Sequence, residues 1–226
     1  MASVYRTWAD GDAFTAADAG TYFMRQVNIS VDNQSDRDAI LTPQEGMQVW
    51  RKDLDGFELY DGSEWNLVPR LLKKVTLGTA GDTISVTGIP ARDDFKIKFF
   101  TFSTGGTIAE NLRFNNDAGA NYAFHYQTAF TGATNLVSQG TLGVAPGGAA
   151  TQGAHFGVYD VVNLPSQRKI IFGVSTDDNN ANATSSSNHV TTRGKWSNTS
   201  TQINRVDLLN GGTGDFAVGS YVEIWG

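Results

Sequence analysis

Short segments rich in Val, Ile, Phe, Tyr and Thr recur along residues 71–226, and Gly, Asn, Asp and Ser separate them. Residues of the first kind favour strands, and residues of the second kind favour turns. Because no convincing helical pattern intervenes, the region is predicted to be an antiparallel β-sandwich, jelly-roll-like, rather than a βαβ fold. The ten candidate strands are KKVTLG, TISVTG, FKIKFFTFST, NLRFNND, NYAFHYQTAF, HFGVYDVV, RKIIFGVSTD, HVTTRGKWS, INRVDLLN and YVEIWG.

Finer patterns inside this region predict faces and loops. KIKFF and RKIIF alternate basic and apolar residues, as strands with one buried face do. The small and polar stretches at 141–153 and 176–188 are predicted to be long loops or exposed connections between strands. GGTGDF at 211–216 lacks the lysine and the helix of a phosphate-binding loop, so it is predicted to be a turn before the final strand.

Residues before position 70 have a different pattern, which begins with a helix signal. Thr15 followed by Asp18 fits a capping box, and apolar residues at helical spacing predict a short helix over 16–27. Ser35 or Asp36 is the candidate cap of a second short helical turn across DRDAIL. The N-terminal part of the chain is therefore expected to contribute a small helical element to a mainly β protein.

A miniature sheet is predicted directly after these helical signals. GMQVWRKDLDGFELYDGSEWNLV, at 46–68, contains three strand-like runs joined by two Asp-Gly turns, for which type I′ geometry with two positive φ angles is expected. A three-stranded meander of this size is marginal by itself in water. Its aromatic side chains, Trp50, Phe57, Tyr60 and Trp65, must therefore pack against the neighbouring helix, against other copies of the chain, or against a docking partner.

Charge supports a boundary near residue 70. Residues 1–70 hold 6 Lys+Arg and 12 Asp+Glu, whereas residues 71–226 hold 11 of each, so the whole net charge of −6 belongs to the first part. We therefore divide the chain into segments 1–70 and 71–226.

The composition also argues against two classes of partner. No basic stripe suits a nucleic-acid partner. No window has the roughly 18 apolar residues of a membrane span, so we expect no membrane span. Met1 to Asp12 has no apolar run of the signal-peptide kind behind it, so we expect synthesis in a cytoplasm.

Candidate catalytic and metal-binding residues are sparse. The chain has no cysteine, and its three histidines, His125, His155 and His189, do not share a metal-ligand spacing. No GxSxG elbow is present. The second region has two glutamates, Glu110 and Glu223, and its adjacent aspartates would point to opposite faces of a strand. We expect no catalytic residues, no metal and no cofactor.

Two weaker binding signals remain open. NNDAGAN at 115–121 faintly resembles a calcium loop, but it lacks the closing glutamate, so an Asx-rich turn is favoured. Trp196 with Asn198 is the best linear candidate for a glycan site, because an aromatic ring covers the apolar face of a sugar while amides bond its hydroxyls. The alternative for Trp196 is a place in the core.

Five short motifs suggest a family. WxxGxxxTAxD, RDAxxxPxxGM and YDGxxW near the N-terminus resemble the N-terminal segment of tail-fibre, baseplate and other structural proteins of tailed bacteriophages. RFNxDxGxNY and the terminal GSxVxIxG look like the β-sandwich of phage virion proteins. The N-terminal motifs lie on Trp8, Gly11, Thr15, Ala16, Asp18, Arg37, Asp38, Ala39, Pro43, Gly46, Met47, Tyr60, Asp61, Gly62 and Trp65.

The resemblance implies a non-enzymatic virion structural protein on the tail or the capsid exterior. Segment 1–70 would contact other virion proteins and form a homotrimer through Trp8 and the four meander aromatics. Segment 71–226 would face outward as a tail fibre or receptor-binding appendage, with host surface polysaccharide as a partner. The alternatives are a capsid-decorating or head-fibre protein without a receptor, a glycan-degrading tail enzyme, and a plain carbohydrate-binding module.

Overall fold

A computed structural model describes residues 29–128, 132–144, 153–178 and 189–226. The chain is mainly β, as predicted, and it divides into two compact units, Met1–Pro69 and Arg70–Gly226. The helix predicted at 16–27 lies outside the described residues. The first unit contains β1 (Ile29–Val31), α1 (Gln34–Asp38), β2 (Gln48–Arg51), β3 (Gly56–Tyr60) and β4 (Trp65–Leu67).

The first unit is a four-stranded sheet in the order β1-β2-β3-β4. The antiparallel β2-β3-β4 meander confirms the prediction, whereas β1, which pairs in parallel with β2, has no counterpart in it. The predicted cap of α1 at Ser35 or Asp36 is wrong. Asn33 is the N-cap, because its extended backbone lets its side-chain oxygen accept from the Asp36 N–H at 3.2 Å.

The two Asp-Gly turns of the meander differ from the expected type I′ geometry. In the first turn Asp55 alone has a positive φ, +44°, and in the second Gly62 alone has one, +101°. Asp61 organises the second turn by accepting from the N–H groups of Ser63 and Glu64, both at 2.9 Å. Hydrogen bonds from Glu64 and then from Ser63 lower the pKa of Asp61 to about 2, because they favour its charged form.

All ten strands predicted for the second unit are present, with shifted ends. The sequence pattern does not predict β10, β11 or β16. The strands are β5 (Leu71–Thr76), β6 (Thr83–Thr87), β7 (Asp94–Thr104), β8 (Glu110–Phe114), β9 (Tyr122–Thr128), β10 (Gly132–Gln139), β11 (Leu142–Gly143), β12 (Ala154–Val162), β13 (Lys169–Asp178), β14 (His189–Trp196), β15 (Arg205–Asn210), β16 (Asp215–Phe216) and β17 (Tyr221–Trp225).

These strands form two antiparallel sheets with a shared core. The large sheet has the order β10-β9-β14-β13-β12-β7-β17-β5, with β16 also paired to β7, and the small sheet has the order β11-β8-β15-β6. Strands β5 to β8 alternate between the two sheets, as the predicted jelly-roll-like sandwich requires. Large side chains from both sheets are buried together, among them Ile84, Phe99, Leu112, Phe114, Tyr159, Trp196, Val206 and Ile224.

Inside this core, three aromatic residues lie directly opposite glycines of the adjacent strand. The pairs are Phe99–Gly157, Tyr159–Gly173 and Phe124–Gly194. A Cβ atom at Gly157 would come within 2.3 Å of the Phe99 ring, and one at Gly173 would come within 2.3 Å of the Val158 carbonyl oxygen. The sandwich therefore makes room for its large rings by placing residues without side chains beside them.

Gly173→Ala tests this packing. We expect a loss of about 2 kcal/mol in the free energy of unfolding, because the new methyl group meets the backbone of β12, which cannot move aside easily. Gly78→Ala is the matched control, since a Cβ there meets nothing within 4 Å, and its effect should stay within about 0.5 kcal/mol. Urea unfolding followed by circular dichroism measures both, and equal stability of the two variants would contradict the packing account.

Candidate functional site

The outer surface of the large sheet exposes several apolar side chains on β12 and β13 and at one end of β7, beside the charged residues Lys96, Lys98 and Asp160. The exposed fraction is 56% for Ile170 and 49% for both Phe172 and Val174. Val162 lies directly opposite Ile170, and the half-buried Val158 lies opposite Val174. Between these two pairs, Asp160 lies opposite Phe172 and forms an ion pair with Lys96, so the apolar residues flank a charged pair. We name this surface the apolar face, and its exposed members are Phe102, Phe156, Val162, Ile170, Phe172 and Val174.

The apolar face corresponds to a particular sequence pattern in β13. In the run IIFGV, the residues that point to either face of the strand are apolar. This pattern is typical of strands that are covered on both sides. Single exposed apolar residues are common, but contiguous patches mark interaction surfaces. The inner face of β13 contributes Ile171 to the sandwich core, so the residues on the outer face are available for a different contact.

The alternation predicted for RKIIF is wrong, whereas the one predicted for KIKFF is confirmed. In β7, Phe95 and Ile97 are buried and the lysines between and after them face outward. In β13, Lys169 is instead fully buried, and its Nζ donates to the carbonyl oxygens of Leu164 at 2.9 Å and Gln167 at 2.7 Å. These carbonyls satisfy the ammonium group locally, which leaves Ile170 to face outward.

A groove of about 530 Å³ lies beside the apolar face, over strands β10, β9, β14 and β13. The groove is shallow and open to solvent, so a ligand in it would stay partly exposed. Ala123 on β9 has the smallest side chain that lines the groove. It lies directly opposite Lys195 on β14 and leaves space beside the lysine side chain. We name it the groove, and the side chains that matter for its chemistry are His125, Asn135, Val137, Ile170, Arg193 and Lys195.

Arg193, Lys195 and His125 lie in the groove without acidic partners in the described ranges, as other cations of this unit do elsewhere, Lys73 and Arg168 among them. Within the described ranges, neither their side chains nor that of Asn135 makes an ion pair or a hydrogen bond. Several other cations of this unit do have acidic partners, at 2.5 to 2.9 Å. These pairs are Lys74–Glu223, Lys96–Asp160 and Arg205–Asp207.

The aromatic residues predicted to form an anchor lie in two pairs. Trp50 and Phe57 pack edge to face with ring centroids 4.8 Å apart, and the Tyr60 and Trp65 rings lie 5.2 Å apart. Phe57 and Tyr60 are three residues apart on β3, so the two pairs lie on opposite faces of the sheet. All four side chains are half-buried. Trp8, the fifth predicted anchor residue, lies outside the described residues.

Charged groups rather than apolar ones occupy the interior of the N-terminal sheet, β1-β2-β3-β4. Glu58 accepts from Arg37 at 2.7 Å and from Arg51 at 3.3 Å, and both Glu58 and Arg51 are buried. Within residues 29–69, Val31 and Val49 are the only buried apolar side chains. The sequence does not predict this network, because Arg37 comes from a separate helical turn and no local pattern places that turn against β3.

The structure corrects the glycan-site prediction for Trp196 and Asn198. Trp196 is fully buried, its Nε1 donates to Asp117 Oδ2 at 2.7 Å, and its ring lies 6.3 Å from that of Tyr122. The Asn198 side chain accepts from the Ser200 N–H at 2.8 Å and closes a turn. A sugar platform needs an open ring face, so Trp196 is the core residue of the alternative interpretation.

The NNDAGAN segment forms a turn rather than an open ligand cage. Asp117 Oδ1 accepts from the Gly119 N–H, and Oδ2 accepts from the Asn121 amide and from Trp196. Burial opposes the ionisation of Asp117, but these hydrogen bonds prevail and hold its pKa below the usual value. Among the residues that the structure describes, no group of three or more His, Asp and Glu side chains is arranged to hold a metal ion.

The most enclosed titratable pair is Glu110 and His155. His155 Nδ1 lies 2.8 Å from Glu110 Oε2, Thr101 donates its hydroxyl to Oε1, and both members of the pair are almost fully buried. Glu110 belongs to the small sheet, whereas Thr101 and His155 belong to the large one. Because the pair is enclosed between the sheets, it ties them together and does not face a substrate. The sequence offers no signal for it, since 45 residues separate the two partners.

The chain has no match among protein-family models, curated proteins or solved structures. The resemblance to phage structural proteins therefore stays a prediction from the motifs. In the part of the chain that the structure describes, no helix has the length and apolar character that a membrane crossing requires.

His155→Ala tests the buried pair. We expect a loss of about 3 kcal/mol in the free energy of unfolding, because Glu110 would stay buried without its partner. Asp160→Asn is the control, since it breaks the exposed pair with Lys96 and should change stability by about 0.5 kcal/mol or less. Urea unfolding of both variants gives the comparison, and a similar small effect of the two changes would show that the buried pair does not hold the sheets together.

Proposed function

We propose that this chain is a non-enzymatic structural protein of a tailed-phage virion, a tail fibre or receptor-binding appendage that assembles as a homotrimer. Residues 1–70 dock to other virion proteins, and residues 71–226 face outward and contact the host surface. The motifs in both segments support this assignment. The observation that carries it is the apolar face, which gives the outward unit a surface suited to contact with other copies.

The apolar face favours copies of this chain as its occupant. Each of its six exposed side chains would contribute about 1 kcal/mol when it is removed from water, so together they suit a stable rather than a transient contact. The central residues Phe172 and Val174 lie on a strand whose other face belongs to the core, so they are held rigidly. A rigid apolar surface is typical of permanent assemblies.

The small N-terminal unit also favours assembly. Its described residues bury two valines around a charged network, which is little apolar surface for a separate unit. Its aromatic pairs are half-buried on both faces of the sheet, so they are available to further partners on each side. Symmetric copies or a docking protein would complete the burial of these rings, and we assign that role to Trp50, Phe57, Tyr60 and Trp65 together with Trp8.

The glycan-degrading enzyme is the competing hypothesis. It would require two carboxyl groups that face a common substrate cleft. Glu110 is enclosed with His155 between the sheets, and Glu223 accepts from Lys74 at 2.9 Å and from the Trp225 indole at 3.0 Å. Both glutamates of the second unit therefore have structural partners, which supports a binding role over a hydrolytic one.

Oligomeric mass and particle location test the proposal together. The purified chain should sediment at about 73 kDa, three times its 24.4 kDa mass, and antibodies against it should label the tails of intact particles. Labelling of the capsid would identify a decorating or head-fibre protein instead. A chain found only in the soluble fraction of a lysate would overturn the virion assignment.

Val174→Glu tests the contact surface itself. A charge at the centre of the apolar face should convert the trimer into 24.4 kDa monomers, because a carboxylate would have to be buried without a partner. Thr87→Glu is the matched control, since it adds the same charge to an exposed strand position of the small sheet. Analytical ultracentrifugation measures the oligomeric mass of both variants. An intact trimer of Val174→Glu would show that the contact between copies does not involve the apolar face.

A further inference from the structure

The groove on the large sheet brings three basic side chains close together. The unit that contains it has no net charge, since residues 71–226 hold 11 Lys+Arg and 11 Asp+Glu. Arg193 and Lys195 lie at alternate positions of β14, so both side chains project from the same face. Neither makes an ion pair within the described ranges, although several cations of the same unit do.

Register places the polar groups of the groove in one row across three strands. Arg193 lies directly opposite His125, and His125 lies directly opposite Asn135. Side chains opposite each other in a sheet have Cβ atoms roughly 5 Å apart, so the guanidinium, imidazole and amide groups can contact one small ligand together. At one end of the row, the Arg193 guanidinium supplies a fork of hydrogen-bond donors. At the other end, the Asn135 amide supplies both donors and an acceptor.

Apolar side chains border this row. Phe172 continues it on the other side of Arg193, and it is about half exposed. Val137 forms the opposite wall and is 69% exposed, at a β-bulge where Ser138 has a φ of +54°. A β-bulge re-aims side chains, which accounts for the raised position of Val137. The groove thus combines apolar walls with a polar row.

From this geometry we infer that the groove binds an acidic saccharide, a sugar chain whose units carry carboxylate groups. Arg193 binds the carboxylate through two parallel hydrogen bonds, and Lys195 adds a second positive charge. His125 and Asn135 bond the ring hydroxyls. The C–H face of the sugar packs against Val137, the exposed wall of the groove that does not belong to the apolar face.

A carboxylated sugar fits the groove better than a nucleic acid does. Nucleic-acid sites rely on many phosphate contacts, and this groove offers three basic side chains on a unit that has no net charge. The amide of Asn135 and the apolar walls suit uncharged hydroxyls and C–H groups, which a sugar presents beside its carboxylate. The inference rests on the proposed function only for the source of the saccharide, the host surface.

Calorimetric titration of the full chain tests the inference. A galacturonic acid oligomer should bind saturably, while a galactose oligomer of equal length, which lacks the carboxylates, should bind at least about tenfold more weakly. Raising the ionic strength to about 1 M should strongly weaken the binding of the acidic oligomer, since the charges that attract it are exposed to solvent and are screened by salt. Equal binding of the two sugars would overturn carboxylate recognition, and tighter binding of a single-stranded oligonucleotide would overturn the saccharide class.

Arg193→Gln locates the site. This change should weaken galacturonate binding at least about tenfold, with an unchanged circular dichroism spectrum, because Arg193 is exposed and has no partner to lose. Lys73→Gln is the control, since it removes the same charge on β5, five strands and about 24 Å away in the sheet. Equal loss in both variants would show general attraction to charge and would overturn the groove as a site.

The outcomes also separate this inference from the proposed function. Trimer mass and particle labelling do not depend on Arg193, so a failed titration would leave the virion assignment as it stands. Conversely, galacturonate binding that Arg193→Gln removes would support the groove even if the chain proved absent from particles.

Discussion

The close approach of aromatic rings to glycines determines how the strands of the large sheet pair. Phe99 and Tyr159 can be buried only where the opposite residue has no side chain, at Gly157 and Gly173. A shift of register by one residue would place each ring opposite a residue that has a side chain. It would also move the buried side chains of the shifted strand to the outer face of the sheet. The same constraint directs alternate residues outward, so the rings that fill the core also determine which side chains form the outer surface, Phe172 among them.

Much of the fold is predictable from the sequence, because β-branched and aromatic runs bounded by turn residues are a strong local signal. The elements that escape prediction lack this signal. Strand β10 has the sequence GATNLVSQ, polar and interrupted by a bulge, and it pairs at the edge of the sheet. Strand β1 has three residues and pairs in parallel with β2. The buried Lys169 breaks its local pattern because carbonyls nearby satisfy its charge.

The candidate site is less predictable, because it depends on which strands become neighbours. Trp196 looks like a sugar platform beside Asn198, but Asp117, which is 79 residues away, accepts its indole N–H and holds it in the core. The groove is assembled from four strands whose order in the sheet differs from their order in the chain. One local signal does exist, the alternation of Arg193 and Lys195 around a glycine, which places both cations on one face.

The outer surface of the large sheet separates two kinds of group that folding alone does not require. Exposed apolar side chains are most frequent on β12 and β13, beside the Lys96–Asp160 pair, and β14 carries two cations that have no ion pair in the described ranges. The core is complete without either set, since its rings are buried on the opposite face. Exposed apolar groups and unbalanced charges both lower solubility or stability in an isolated chain. Their positions on neighbouring strands of one sheet match the two partners proposed above, an apolar protein surface and an anionic ligand.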